Sequence, residues 1–169
     1  MESGEQRNVY QFTFAGGAFN SYFFTTVDDI TYEIKFVPST DYFETYADLN
    51  LDVFEMIIAV ADNPTGGKLP ADARTAPTIF AIFNDFFLPK RHALIFICDS
   101  SDRRELARFR KFGAWFYNQK TQFDLEDLAK FDLRIRDGER LILLSLIISR
   151  RHPQRKLIAD MFMDLGDKK

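Results

Sequence analysis

The stretch "ALIFICDSSDRRELARFRKFGAWF", Ala93–Phe116, decides the fold of this chain. Its first six residues, Ala93–Cys98, are all apolar, as in an interior strand that is covered on both faces of a sheet. Apolar residues then recur at helical spacing and predict a helix from about Asp102 to Asn118. The residues predicted to face the core from this helix are Leu106, Phe109, Phe112, Gly113 and Phe116. A strand that leads directly into a helix therefore forms the centre of the fold.

A helix before this stretch and a hairpin after it are also predicted. Five apolar residues that follow Pro77 are spaced at i, i+3, i+4, i+7 and i+8, which is typical of one helix face. They are Ile79, Ile82, Phe83, Phe86 and Phe87. Further along, the Asp137-Gly138 pair favours a tight turn between two strands, Phe131–Arg136 and Arg140–Ser149.

The amino-terminal part of the chain alternates polar and apolar residues with the period of a strand. Three strands are predicted at Val9–Phe14, Ser21–Thr25 and Ile30–Phe36, joined by short turns as a meander. A further strand is predicted at Val53–Val60, and a last helix begins at Pro153 near the other end of the chain.

Together these elements predict an α+β fold, with a mixed, mostly antiparallel sheet, an amino-terminal β-meander and about three packed helices. A length of 169 residues suits a single globular domain over residues 1–169, with flexible tails at 1–8 and 166–169. The chain contains 19 Phe, so its core is expected to consist largely of aromatic rings.

The composition argues against secreted and membrane proteins. One cysteine cannot form an intramolecular disulfide, and the first ten residues, "MESGEQRNVY", lack the basic start and apolar run of a secretory signal. The longest apolar runs have six residues, far fewer than the roughly 20 that cross a bilayer. The sequence therefore predicts a cytoplasmic protein without a membrane partner.

No cofactor and no metal site is predicted. The spacings typical of zinc ligands, nucleophile elbows and dinucleotide-binding loops do not occur. Gly66-Gly67-Lys68 resembles only the last part of a phosphate-binding loop, because Leu69 follows where Ser or Thr would hold magnesium. We interpret this segment as an ordinary turn.

The charge is unevenly distributed along the chain. The net charge is −3, but residues 1–88 contain 4 basic and 13 acidic residues, whereas residues 89–169 contain 18 basic and 12 acidic ones. Two interpretations remain open. Either the two halves fold together and partly neutralise each other, or the basic residues form a face that meets an anionic partner.

One candidate for such a face lies on the central helix. Arg104, Arg108, Lys111 and Trp115 are spaced at i, i+4, i+7 and i+11, so they form a cationic strip that ends in an indole. Cations pair with phosphates and rings stack on unpaired bases, which favours nucleic acid as the partner. The alternative is a solvated helix face with a half-buried Trp115 at its edge.

The second candidate is the basic segment "RRHPQRK", residues 150–156, in which Arg150, Arg151 and His152 are the predicted binding residues. It joins the last strand to the last helix. If the fold brings it close to the first cluster, cations from both could line one edge of the molecule.

One short motif suggests an enzyme. Cys98 and Arg104 fit C-x5-R, the phosphate-binding loop of cysteine-dependent phosphatases, in which a thiolate lies at a helix N-terminus. Asp99, directly after the strand, is a third candidate catalytic residue. The alternative is structural, because this loop contains no glycine to wrap a phosphate, and Ser101 or Asp102 can cap the helix.

Three stretches, "YEIKFVPS", "LIFICDSSDRRELARFRKFGAWF" and "LILLSLIISRRHP", occur in this order in the chain. The characteristic residues among them are Cys98, Asp99, Ser101, Asp102, Arg104, Arg108, Trp115 and Phe116. On these residues the chain resembles a family of small uncharacterised bacterial proteins, carried as a domain of unknown function, from about Val9 to Leu165. The resemblance implies a shared fold and no established activity.

Three functional hypotheses follow from these observations. The first is a cytoplasmic bacterial binding or regulatory module whose Arg-rich helix contacts nucleic acid or an acidic protein surface. The second is a phosphatase-like or nuclease-like hydrolase at the turn between Cys98 and Arg104. The third is a protein-interaction subunit that pairs, with itself or with another protein, through exposed aromatic residues at the edge of the meander.

Overall fold

The structure is a computed structural model that describes residues 8–38, 52–87, 93–98, 105–122 and 127–166 of the chain. Within these residues it contains one seven-stranded mixed sheet and three helices, so the predicted α+β class is confirmed. The strands are β1 Phe12–Gly16, β2 Ser21–Thr25, β3 Thr31–Pro38, β4 Val53–Asp62, β5 Ala93–Cys98, β6 Leu128–Asp137 and β7 Arg140–Ser149. The helices are α1 Thr75–Phe87, α2 Glu105–Gln122 and α3 Arg155–Asp164.

The seven strands lie in the order β1-β2-β3-β4-β5-β7-β6. Strands β1 to β3 pair antiparallel with their neighbours as the predicted meander, and β5, β6 and β7 also form antiparallel pairs. Strand β4 pairs parallel with β5, which makes the sheet mixed. The prediction of a mostly antiparallel mixed sheet is therefore confirmed.

The amino-terminal strand starts later than predicted. The alternation in the sequence begins at Val9, but β1 begins at Phe12. The backbone N–H of Tyr10 donates a hydrogen bond to Thr78 Oγ1 of α1 at 2.8 Å and is therefore not available to the sheet. The side chain of Tyr10 is nevertheless buried, so the apolar period extends beyond the hydrogen-bonded strand.

Two elements near the carboxyl end also differ from their predicted bounds. Strand β6 begins at Leu128, three residues before the predicted start. Helix α3 begins at Arg155 because the N–H of this residue closes a turn onto the carbonyl of His152 at 3.1 Å, which leaves Pro153 before the helix. The predicted hairpin between β6 and β7 is present, but its turn is Gly138-Glu139 and not Asp137-Gly138, because Asp137 ends β6 and pairs with Arg140. Gly138 takes a φ of +62° in this turn.

Some predictions concern residues outside the described part of the chain. The predicted tails at 1–8 and 166–169 fall there except for Asn8 and Gly166, and so does the predicted start of α2 near Asp102. The prediction of one domain over the whole chain stays a prediction. None of the helices in the described ranges is long and apolar enough to cross a membrane.

The described residues divide into two compact units, and β4 contributes to both. The first unit contains β1, β2, β3 up to Val37, the part of β4 from Ile57 onward, and α1. All five residues of the predicted α1 stripe are buried, which confirms that face of the helix. The ring of Phe86 stacks on Phe36 of β3 with centroids 4.1 Å apart, so this core is aromatic, as the composition predicts.

The second unit contains the first residues of β4, up to Met56, and every element from β5 onward. Successive side chains of β5 point to opposite faces of the sheet. Phe96 stacks on Phe112 of α2 with centroids 4.0 Å apart, whereas Ile95 belongs to the core cluster that contains Phe162 of α3. Helices α2 and α3 therefore cover opposite faces of the sheet in this unit.

Glu55 of β4 lies beside Ile95 in the parallel register and is half-buried. Burial raises the pKa of its carboxyl above the ordinary value of 4.5. A raised pKa means that the folded state holds the proton more tightly than the unfolded state does. The stability linked to Glu55 is therefore fully present at low pH and is lost as the pH rises through the raised pKa.

Glu55→Gln is expected to resist urea better than the wild-type protein at about pH 7, and equally well at about pH 3, where both proteins are neutral at this position. Urea unfolding of the two proteins at both pH values measures the difference. Asp52→Asn, at an exposed position before the same strand, is the control. A Glu55→Gln protein with the same or a lower urea midpoint at neutral pH contradicts the prediction.

Candidate functional site: a cation-lined groove at the edge of the sheet

A groove with a volume of about 560 Å³ lies where α2, β6 and α3 meet. Its floor consists of four consecutive residues, Leu128–Phe131 of β6. One wall is formed by Phe116 and Tyr117 of α2, and the other by Arg150 and the first turns of α3. Consecutive strand residues point to opposite faces, so four of them can line one groove only where the strand is open at its edge.

Strand β6 ends the sheet in the described part of the chain, so one side of its backbone has no neighbouring strand. The N–H of Arg150 donates to the carbonyl of Asp127 at 2.7 Å, and the register continues from there through β6 without a slip. Hydrogen-bonded and non-bonded pairs alternate in an antiparallel ladder. The odd-numbered residues of β6 therefore bond to β7, and Leu128 and Lys130 point their N–H and C=O groups out of the sheet.

Lys130 connects the floor to α2. Its side chain is only 3% exposed, and its Nζ lies 5.3 Å from the ring centroid of Phe109 and 6.0 Å from that of Tyr117. The ammonium also forms an ion pair with Asp132, whose carboxylate accepts a hydrogen bond from Ser145 Oγ at 2.8 Å. The charge of Lys130 is thus balanced within the protein, and its main effect is to hold α2 against β6.

The uncompensated charge of the groove lies on the opposite wall. Arg150, Arg155 and Lys156 are exposed, and none of them forms an ion pair with another described residue. Asp160 is the acidic residue in the lining. The positive end of the α3 dipole lies on the same side, and its N-cap, Gln154, makes no side-chain capping bond. This wall of the groove therefore carries more positive than negative groups among the described residues.

The three predicted binding residues of the second basic cluster have different roles in the structure. Arg150 lines the groove. Arg151 instead places its Nε 3.6 Å from Asp127 Oδ1, and this carboxylate also accepts a hydrogen bond from Ser149 Oγ. The Nδ1 of His152 accepts a hydrogen bond from the backbone N–H of Gln154, with 3.0 Å between the two nitrogen atoms. This bond lies within the turn before α3. Arg151 and His152 do not line the groove.

The predicted strip on α2 is described only in part. Arg104 lies outside the described residues, and the side chain of Arg108 lies outside them as well. Lys111 is exposed with its Nζ 5.0 Å from the ring centroid of Trp115, which is half-buried. Gly113 faces Lys130, and a two-residue step turns the helix by about 200°. Lys111 therefore lies on the side of α2 away from the groove.

The candidate catalytic residues fall mostly outside the described part of the chain. Cys98 ends β5 beside Leu143 of β7, but its side chain is not among the described ones, and Asp99 and Arg104 lie outside. The enzymatic hypothesis therefore stays a prediction. Within the described ranges, no three His, Cys, Asp or Glu side chains come together in a way that could hold a metal ion.

The third hypothesis concerned aromatic residues at the edge of the meander. Strand β1 is the other end strand of the sheet within the described residues, and Phe14 on it is 55% exposed. Phe19, in the turn to β2, is 50% exposed, and the Nζ of Lys35 lies 5.8 Å from its ring centroid. An association through this edge stays a prediction.

Sequence patterns missed several residues of the groove. The predicted strand begins at Phe131 and therefore does not include Lys130, which the structure places in β6 facing α2. Arg155 and Lys156 lie within the second basic segment, but nothing in that segment distinguishes them from Arg151, which points elsewhere. The available signal is the alternation of Lys130 and Asp132 with the apolar residues Ala129, Phe131 and Leu133, which continues the strand towards the amino end.

Comparison with known proteins gives one match. A family model described as a family of unknown function (DUF6169) matches residues 71–164, which include α1 and every element up to α3. The predicted resemblance to an uncharacterised family is confirmed, over a shorter span than expected because the match begins after β4. No curated protein and no solved structure matches the chain.

Proposed function

Since the chain belongs to DUF6169, a family of unknown function, we propose its role from the groove: it is a binding module that holds an anionic partner between α2, β6 and α3. We also propose that the protein is bacterial and cytoplasmic, as the sequence predicts. The module has a regulatory or accessory role, and the partner is recognised first by its negative charge.

The observation that carries this proposal is the uneven charge of the groove. Three exposed cations on one wall stand against one carboxylate, Asp160, while the buried cation Lys130 is already paired with Asp132. The three exposed cations form no ion pair with another described residue, and an anion that enters between them would supply acceptors for their N–H groups. The groove also offers aromatic surface, since Tyr117 on the facing wall is 62% exposed.

Reversing the charge of the α3 wall tests this function. Arg155→Glu with Lys156→Glu is expected to weaken the binding of labelled polyglutamate and of labelled oligothymidylate by at least about tenfold at low salt. Fluorescence anisotropy at two salt concentrations measures the affinity, and circular dichroism shows that the variant is folded. Both side chains are exposed, so the fold is expected to tolerate the change.

Two control variants show whether the loss of affinity depends on where the charge is changed. Arg136→Glu with Arg140→Glu makes the same change of net charge at the far end of the β6–β7 hairpin, about 20 Å along β6 from Lys130. It is expected to change the affinity less than about twofold at moderate salt. Lys111→Glu tests the strip on α2. Equal losses in all variants, or a loss only in Lys111→Glu, contradict the groove as the binding site.

A further inference from the structure

We infer that the partner is an extended acidic peptide, which binds inside the groove by adding a strand to the edge of β6 that has no neighbouring strand among the described residues. This inference rests on the proposed function, because it specifies the anionic partner of the same groove. The partner pairs with the backbone of β6 and alternates acidic with apolar side chains. Its recognition mode is the addition of a strand to a sheet edge.

The backbone at the floor of the groove is able to pair with a partner strand. Leu128 and Lys130 each direct an N–H donor and a C=O acceptor out of the sheet, as derived from the register of β6 and β7. A neighbouring strand lies about 4.8 Å away and supplies a donor and an acceptor to each such residue. The floor from Leu128 to Phe131 is about 10 Å long, so it accommodates about four residues of a partner strand.

The two walls of the groove differ in the side chains that they offer a partner. In an added strand, successive side chains point alternately to the α2 side and to the α3 side. On the α2 side they meet the exposed ring of Tyr117, and on the α3 side they meet Arg155 and Lys156. A peptide that alternates apolar and acidic residues therefore places its apolar side chains against α2 and its acidic side chains against α3.

Nucleic acid is the other anionic macromolecule that the basic residues could attract. The oxygen atoms of phosphate groups accept hydrogen bonds and donate none, so nucleic acid cannot satisfy the outward carbonyls of Leu128 and Lys130 through its phosphates. Peptide N–H groups can do so. The floor therefore favours a peptide over nucleic acid, although the charged wall attracts both.

The test compares three labelled probes on the full chain by fluorescence anisotropy. They are an octapeptide of alternating glutamate and valine, the same octapeptide with every backbone amide N-methylated, and oligothymidylate of similar length. The N-methylated peptide keeps the charges and side chains but has no backbone donors. We expect the unmodified peptide to bind at least about tenfold more tightly than the other two.

Amide hydrogen exchange gives an independent readout of the same complex. The unmodified peptide is expected to slow exchange at Leu128 and Lys130, whose N–H groups point outward, and to change Ala129 and Phe131 little, because these already bond to β7. If amide exchange slows equally at all four residues, the peptide does not add a strand to β6 and the inference is wrong.

The outcomes separate the inference from the proposed function. If the N-methylated peptide binds as tightly as the unmodified one, and Arg155→Glu with Lys156→Glu weakens both, strand addition is wrong and an anion-binding groove remains. If oligothymidylate binds most tightly and depends on the same two residues, the partner is a nucleic acid and the inference is wrong. If no probe binds, both the inference and the proposed function fail.

Discussion

Phe162→Ala is expected to lower the free energy of unfolding by about 3–5 kcal/mol. The side chain is fully buried in the core cluster between α3 and the sheet, together with Ile95, Leu146 and Ile158. Removing the ring takes apolar surface out of the core and leaves a cavity, because the strands on either side are held by their hydrogen bonds and can close over it only partly. The loss in free energy of unfolding is therefore larger than the free energy of transferring the ring from the core to water.

Urea unfolding followed by the fluorescence of Trp115, the single tryptophan of the chain, measures this loss. The neighbouring Met163 is 43% exposed, so Met163→Ala is a matched control that is expected to change the free energy of unfolding by less than about 0.5 kcal/mol. A loss below about 1 kcal/mol for Phe162→Ala means that α3 does not pack on the sheet as described.

Phe83→Ala is expected to destabilise the first unit by a similar amount, about 3–5 kcal/mol. Phe83 is 1% exposed, and its ring stacks on Phe87 with centroids 5.1 Å apart, while Phe80 lies at 6.1 Å. The substitution removes the ring at the centre of this aromatic group. Stacked rings contribute beyond the area that they bury, so their loss is expected to exceed that of an isolated side chain.

The same variant tests the prediction that the chain is one domain. Trp115 belongs to the second unit and Phe83 to the first, so the fluorescence of Trp115 reports on a unit that the substitution does not touch. Because β4 contributes residues to both units, we expect them to unfold together and the Trp115 transition to shift with Phe83→Ala.

A Trp115 transition that stays unchanged, beside a second and weaker transition in circular dichroism, contradicts the one-domain prediction. Leu69→Ala is the control for the first unit, because Leu69 is 39% exposed in the loop before α1. It is expected to leave both signals within about 0.5 kcal/mol of the wild-type values.

Much of the fold follows from local patterns. The i, i+3, i+4 spacing before Pro89 predicts α1, and its five residues are buried because one apolar stripe must face a core. The apolar run Ala93–Cys98 predicts an interior strand, and β5 has these bounds. The Asp137-Gly138 pair predicts the hairpin, because Gly138 takes the positive φ that the turn needs. In each case the signal lies within a few neighbouring residues.

Local sequence patterns do not predict which residues line the groove. Arg150, Arg151 and His152 are adjacent in sequence and equally polar, but only Arg150 lines the groove, because Asp127 pairs with Arg151 and His152 accepts a hydrogen bond in the turn. The partners that separate these residues come from other parts of the chain or from the geometry of the turn. Sequence spacing carries neither.

Local patterns are sufficient to predict the class of the fold, the positions of most helices and strands and the basic character of the second half, because periodicity, turn residues and charge are local properties. Long-range contacts set three further features: β6 ends the described sheet, α2 and α3 lie on opposite sides of it, and Lys130 pairs with Asp132 whereas Arg155 and Lys156 form no ion pair with another described residue. These are properties of long-range pairing, in which residues far apart in sequence determine which charges and which backbone groups remain available to a partner.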